Sequence, residues 1–252
     1  MGDNKKYLSG KFAFKTDIGK VRLSNEDQAT ALINSRGNVL LLVCDGMGGQ
    51  NKGDYASNLA KTNITDDFNN KARFLNKYDA LHWVIKTVKK ANKAINDAAN
   101  KNRAYEGMGT TLTLALIIKD YMVLAQVGDS RCYSYRMRDF TQLSEDQTYV
   151  AYLYRTGQIK KEEMATHPKR HVLMNALGFY PSLDLDAKVL PYRGDILLLC
   201  SDGLYNNVSD GDILTIVKGN DTVDEKVREL ISLANANGGS DNIAVVIWEA
   251  DQ

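Results

Sequence analysis

Two apolar runs in this chain end on the same pair of residues. Val39-Leu40-Leu41-Leu42-Val43-Cys44 is followed at once by Asp45-Gly46, and Ile196-Leu197-Leu198-Leu199-Cys200-Ser201 by Asp202-Gly203. Leu124-Ala125-Gln126-Val127-Gly128 leads into Asp129 in the same way, and Gly239-Ser240-Asp241-Asn242 opens a last apolar run. An isolated Asp-Gly is ordinarily a turn signal. Asp210-Gly211 fits that reading: after Ser209 and before Ile213, Leu214 and Ile216, it marks a helix start and nothing more. Carboxylates at the ends of buried-type strands carry a further implication if those ends converge. Two carboxylates ~4 Å apart repel by about 4 kcal/mol at an effective dielectric near 20. Several such pairs rival a domain's whole stability, about 5 to 15 kcal/mol. A cluster of this kind takes up protons or binds cations. All-oxygen ligation without nearby Cys or His points to Mg²⁺ or Mn²⁺, and two such ions sharing carboxylates can activate a bridging water as nucleophile.

Other chemistries fail on decisive residues. His82, His167 and His171 form no H-E-x-x-H, and Pro168 interrupts the four-residue spacing of the last two, so solvent-facing or structural roles are expected. Residues 48–53 approach a phosphate-binding loop, but Asp54 stands where its lysine belongs. Gly107-Met108-Gly109 begins like a dinucleotide fingerprint, yet Leu112 replaces the third glycine and a strand follows. No Gly-x-Ser-x-Gly elbow is present.

The elements that must position the carboxylates are legible as short runs. Strands are expected at 12–18, 29–34, 38–44, 111–118, 122–127, 131–135, 195–200 and 242–248. Leu81, Val84, Ile85, Val88, Ala91, Ile95, Ala98 and Ala99 predict a helix over about 77–100. Val223, Val227, Leu230, Ile231 and Ala234 predict another that stops at Gly238-Gly239. Grouped strands with helices between and after them favour α+β: a four-layer αββα sandwich, two stacked, mainly antiparallel sheets flanked by helices.

Composition narrows the function classes. The 252 residues hold 32 Lys plus Arg against 31 Asp plus Glu, a net charge of +1, which lacks the basic excess of a nucleic-acid or polybasic membrane binder. Apolar residues at 44% and charged residues at 25% are those of a folded domain. With three prolines and no linker-like tract, residues 1–252 are read as a single domain. The three cysteines form no C-x-x-C pair and suit buried, reduced thiols in a reducing compartment. The first residues lack a signal-peptide core, Lys6 breaks the acylation pattern begun by Met1-Gly2, and the apolar run 39–44 spans only six residues against the ~20 that cross a bilayer. A soluble, cytoplasmic, monomeric protein is expected.

Taken together, the motifs resemble those of the type 2C, metal-dependent serine/threonine protein phosphatases, especially the compact bacterial members. The resemblance runs in order through Arg22-Leu23-Ser24-Asn25-Glu26-Asp27, Val43-Cys44-Asp45-Gly46-Met47-Gly48-Gly49, Gly107-Met108-Gly109-Thr110-Thr111, Val127-Gly128-Asp129-Ser130-Arg131, Leu199-Cys200-Ser201-Asp202-Gly203-Leu204 and Ser240-Asp241-Asn242-Ile243. It implies the four-layer sandwich with a metal cleft at one edge of the sheets. It also implies hydrolysis of phosphoserine and phosphothreonine by a metal-bridging water or hydroxide attacking in line, without a phosphoenzyme, in opposition to a Ser/Thr kinase.

By that resemblance Asp45 bridges two Mn²⁺ or Mg²⁺ ions, and Asp202 and Asp241 complete the first site. The Gly46 carbonyl, with Glu26 acting through water, holds the second. Asp129 joins Asp202 at a third, weaker ion. Asp27 and Asn242 lie behind the ligands, Asn242 steadying a bound water, and Arg22 grips the substrate phosphate. The histidine that follows the Asp-Gly pair in many eukaryotic relatives is Met47 here, which cannot donate a proton, and a histidine further along in many bacterial relatives is Gln50. Residues 146–178 resemble the flap beside the cleft, with Tyr149, Val150, Leu153 and Tyr154 forming an apolar face that serves either core or substrate. Two other readings share these residues: a silent domain that binds phosphorylated partners, and a hydrolase of nucleotides or small phosphoesters.

Overall fold

The computed structural model describes residues 8–48, 52–71 and 73–251. The expectations placed on the N-terminal residues before Leu8 and on Gln50 lie outside them. Strands β1 (Gly10–Asp17), β2 (Asp27–Ile33) and β3 (Val39–Met47) are followed by helices α1 (Lys52–Asn70) and α2 (Lys77–Lys101). A second group, β4 (Gly109–Thr110), β5 (Leu112–Ile118), β6 (Tyr121–Val127), β7 (Arg131–Arg136) and β8 (Asp139–Gln142), leads to the short helices α3 (Tyr149–Arg155) and α4 (Lys161–Met164). Then come β9 (Asp186–Pro191), β10 (Ile196–Cys200), α5 (Asp202–Tyr205), α6 (Asp210–Val217), α7 (Val223–Ala236) and β11 (Ile243–Ala250).

The strands form two sheets, ordered β1-β11-β10-β7-β8 and β2-β3-β5-β6-β9, with β4 paired to β3. The pairings are antiparallel. Side chains alternate across a strand, so an unbroken apolar run needs cover on both faces. β3 shows how that need is met. Leu40, Leu42 and Cys44 pack with Ala56, Ala60, Ile64 and Val88 of α1 and α2, while Val39, Leu41 and Val43 pack with Leu197, Leu199, Val246 and Trp248 of the other sheet. On the far side, Leu198, Cys200, Val245 and Ile247 meet Ile213, Val227, Leu230 and Ile231 of α6 and α7. Helices, sheet, sheet, helices: the expected four layers follow from the two-faced apolar strands.

Helix α2 starts where Asn76 accepts from the Tyr78 and Asp79 backbone N–H groups, and α7 where Thr222 and Glu225 form a reciprocal capping box. Ser209 caps α6 through the Asp212 N–H, as the Asp210-Gly211 reading requires. All three cysteines are free and buried, and burial pushes their thiols up. Among the described residues no helix is long and apolar enough to cross a membrane.

The elements missed by pattern have weak apolar signals. Helix α1 buries Ala56, Ala60, Ile64 and Phe68 at four-residue spacing, but two of these are alanines among polar neighbours. β8 and β9 are edge strands with little full burial. β3 also runs three residues past its expected end, so Asp45, Gly46 and Met47 are strand residues.

Candidate metal centre and phosphate cleft

The sheet registers bring the acidic residues to one edge. Asp27 pairs with Asp45, Leu112 with Val127, Cys200 with Arg131 and Asp17 with Ile243, so the ends of β2, β3, β6, β10 and β11 that carry or adjoin acidic residues lie together. There a cleft of about 1340 Å³ is lined by Arg22, Glu26, Asp45, Gly46, Met47, Asp129, Asp202, Asp241 and Asn242. Of the predicted site residues only Asp27 is absent from the lining; it is buried directly behind, at 2% exposure.

The Asp-Gly pairs are not hairpin turns. Neither Gly46 nor Gly203 has a positive φ. Both are glycine because backbone from elsewhere passes where a side chain would stand. A Cβ on Gly203 would lie 1.9 Å from the Asn242 carbonyl oxygen, and one on Gly46 would lie 2.2 Å from that of Gly53 and 2.6 Å from that of Glu26. These contacts press the start of α5 against the start of β11, and β3 against the Glu26 loop and the start of α1. They set Asp202 beside Asp241 and Asp45 beside Glu26.

Hydrogen bonds fix the backbone around each acid. The Asp45 N–H donates to Thr111 Oγ1 at 2.9 Å, the Asp45 carbonyl accepts from Thr110 Oγ1 at 2.9 Å, and the Gly46 N–H donates to the Glu26 carbonyl at 3.1 Å. Asp27 accepts from Ser201 Oγ at 2.6 Å and lies opposite Asp45 in the β2–β3 register. Asn206 Nδ2 donates to Asp202 at 3.0 Å from one turn along the same helical stretch. Asn242 is anchored to backbone: its Oδ1 accepts from the Glu26 N–H at 2.8 Å and its Nδ2 donates to the Ile18 and Ser24 carbonyls, both at 2.9 Å. It ties the loop carrying Arg22 and Glu26 to the start of β11.

The electrostatics are those of crowded like charges. Burial, then the charges of Asp202 and Asp241, pushes Asp27 up to about 8. Burial, then Asp202 and Asp146, takes Asp129 to about 8, and burial, then Asp241, takes Asp202 to about 6. Asp45 rises well above the carboxylate range through burial and the neighbouring Asp27, Asp202, Asp129 and Asp241. Arg22 supplies positive charge at the rim, its Nη2 2.7 Å from Asp241, with the two side chains 55% and 33% exposed. Arg131 supplies more from below. It forks onto Asp146 at 2.7 to 3.2 Å and lies 3.5 Å from the centre of the Tyr205 ring, whose hydroxyl donates to the Asp129 carbonyl at 3.1 Å.

Among the described residues no three His, Cys, Asp or Glu side chains close around a single point. The carboxylates form a wall instead, with one oxygen of Asp241 engaged by Arg22. The donor set nonetheless fits divalent cations: it is oxygen throughout, and its like charges repel until protons or cations neutralise them.

The flap segment contributes Ala165, Arg170, His171 and Leu173 to the cleft. Its expected apolar face divides, with Val150 and Leu153 buried and Tyr154 46% exposed. His171 therefore faces solvent as expected, but on the cleft wall. Tyr205, Asn206, Arg170 and His171 were not among the predicted site residues; for Asn206, the four-residue spacing from Asp202 was the available signal.

Comparison with known proteins places this geometry. The family model for protein phosphatase 2C matches residues 20–246. The chain is 38% identical over 239 residues to the serine/threonine phosphatase stp of Listeria monocytogenes, covering 94% of this chain and 95% of that protein. Among solved structures it is similar to the serine/threonine phosphatase Stp1 from Staphylococcus aureus, with a TM-score of 0.91, 30% identity and full coverage of both chains. It is also similar to the catalytic domain of serine threonine protein phosphatase PstP in complex with two manganese ions, with a TM-score of 0.86, 33% identity and coverage of 97% of this chain and 100% of that one. The chain belongs to the protein phosphatase 2C family and is an enzyme of the serine/threonine protein phosphatase class.

Proposed function

We propose that residues 1–252 act as one catalytic domain that hydrolyses phosphoserine and phosphothreonine in proteins, in the cytoplasm, as a monomer, reversing a Ser/Thr kinase. The reading rests on one observation: Asp45, Asp129, Asp202, Asp241 and Glu26 line a single cleft with Arg22 at its rim. Two Mn²⁺ or Mg²⁺ ions would be held by Asp45 between them, by Asp202 and Asp241 on one side, and by the Gly46 carbonyl and Glu26 on the other. A third, weaker ion would lie between Asp129 and Asp202. When bound, such ions neutralise the acidic wall, acidify a water and draw charge from the phosphoryl oxygens.

The chain's own groups do the rest. Arg22 presents a planar fork that pairs with two phosphate oxygens. Asp27, buried opposite Asp45 in the strand register, tunes the charge of that carboxyl. Asn242 keeps the Arg22 loop against β11. Met47 lines the cleft at the position where many eukaryotic relatives carry a histidine, and its thioether has no proton to give.

Phosphate release from a phosphothreonine peptide, measured with Mn²⁺, with and without chelator, tests the reading. Wild type should be active only with the metal, and Asp202→Asn should lose at least about a hundredfold. Wild type inactive in every condition would leave a silent phospho-binding domain. Activity on nucleotides without activity on the peptide would leave a small-phosphoester hydrolase.

A further inference from the structure

Phosphate recognition does not account for the apolar rim of the cleft. Val21 and Leu23 flank Arg22 and are 65% and 100% exposed, while Leu173 and Phe179 line the same cleft from the flap side, Phe179 being 41% exposed. Charge recognises phosphate; exposed apolar walls beside it match some other part of the substrate.

Phe179 is held in place from several directions. Its ring lies over Gly109, where a Cβ would come within 2.6 Å of Cε1. The residue before it, Gly178, turns with φ +94°, and a Cβ there would lie 2.3 Å from Ile95 Cγ2 on α2. Asn92, also on α2 and 1% exposed, brackets Phe179 on both sides. Its Oδ1 accepts from the Gly178 N–H at 2.7 Å, and its Nδ2 donates to the Tyr180 carbonyl at 3.0 Å and the Pro181 carbonyl at 3.4 Å. Asn96 Nδ2 adds a bond to the Gly178 carbonyl at 2.9 Å. A buried amide that directs both of its groups to the backbone around one residue defines that residue's position.

We propose that Asn92 is a positioning residue that holds Phe179 as a wall of a subsite for a large apolar side chain next to the phosphorylated residue, with Leu23 on the Arg22 side. The inference rests on the phosphoprotein reading and narrows its substrates to apolar-flanked phosphopeptides. It does not involve the acidic wall.

Steady-state kinetics with Mn²⁺ on three substrates test it: a phosphothreonine peptide with leucine on both sides of the phosphoresidue, the same peptide with alanine there, and p-nitrophenyl phosphate. Wild type should favour the leucine peptide about tenfold in kcat/KM, through KM. Asn92→Ala should abolish that preference while its p-nitrophenyl phosphate turnover stays within about twofold. Phe179→Ala, a change at a partly exposed ring, should also abolish the preference and keeps the test decisive if Asn92→Ala unfolds. The inference is overturned if wild type shows no preference, if Phe179→Ala or a folded Asn92→Ala retains it, or if a folded Asn92→Ala loses equally on all three substrates. Wild type active on p-nitrophenyl phosphate but on neither peptide would overturn the phosphoprotein reading as well.

Discussion

In the proposed reading, Arg22 binds the phosphate, while Met47, which also lines the cleft, takes no part in protonating the leaving group. Arg22 already pairs with Asp241, so its guanidinium is held at the cleft before substrate arrives. Charge-assisted hydrogen bonds contribute about 1.5 to 3 kcal/mol, so Arg22→Ala should lower kcat/KM on a phosphopeptide by about 10- to 100-fold. A loss below twofold would show that Arg22 is only a surface ion pair. Met47 has no proton to give, and p-nitrophenolate leaves readily without one. Met47→Ala should therefore keep nearly full turnover of p-nitrophenyl phosphate; a large loss would assign Met47 a role its chemistry does not support. Residue identity made both readings legible in the sequence. The ion pair and the contacts of Asn242 were not, because they join residues some 220 positions apart.

At the scale of elements, the close approach of backbones does the assembling. Gly203→Ala would drive a methyl group into the Asn242 carbonyl, only 1.9 Å away, and separate α5 from β11. Overpacking of this kind costs about 1 to 3 kcal/mol, and the displaced Asp202 should lower activity further; melting curves and phosphate release would show both. Unchanged behaviour would mean that this contact does not position the acid. The strands carrying these residues were readable because their apolar runs are unbroken. The glycines were readable as Asp-Gly pairs, but their purpose was not, since a turn and a tight packing contact look alike until the passing backbone is known. Helix α1 stayed hidden because Ala56 and Ala60 bury well but weigh little in an apolar pattern. Arg170, His171 and Phe179 reach the cleft by way of a long segment whose path is set by contacts distant in sequence, such as those of Asn92 and Thr110 with Gly178 and Leu177.

For the whole molecule, the acidic wall links stability, pH and metal. Asp27, Asp129 and Asp202 have folded-state values near 8, 8 and 6, above the ~3.9 of an unfolded aspartate. The folded state thus binds protons more tightly, and the stability of the metal-free protein should fall as pH rises from about 4 through about 8. Cations replace the protons, so their benefit has the opposite trend. At a hundred times Kd a cation adds about 2.7 kcal/mol. For a chain of this size that raises Tm by about 5 to 10 °C. Calorimetry with and without Mn²⁺ should show the full increase at pH 8 and little at pH 5; an equal increase at both would place the metal elsewhere.

Titration of the metal-free protein with Mn²⁺ at pH 8, followed calorimetrically, reads the convergence of these acids without recourse to catalysis. Wild type should take up two ions tightly, with Asp45→Asn losing both and Asp241→Asn losing one. No saturable uptake by wild type, or uptake unaltered in Asp45→Asn, would contradict the account.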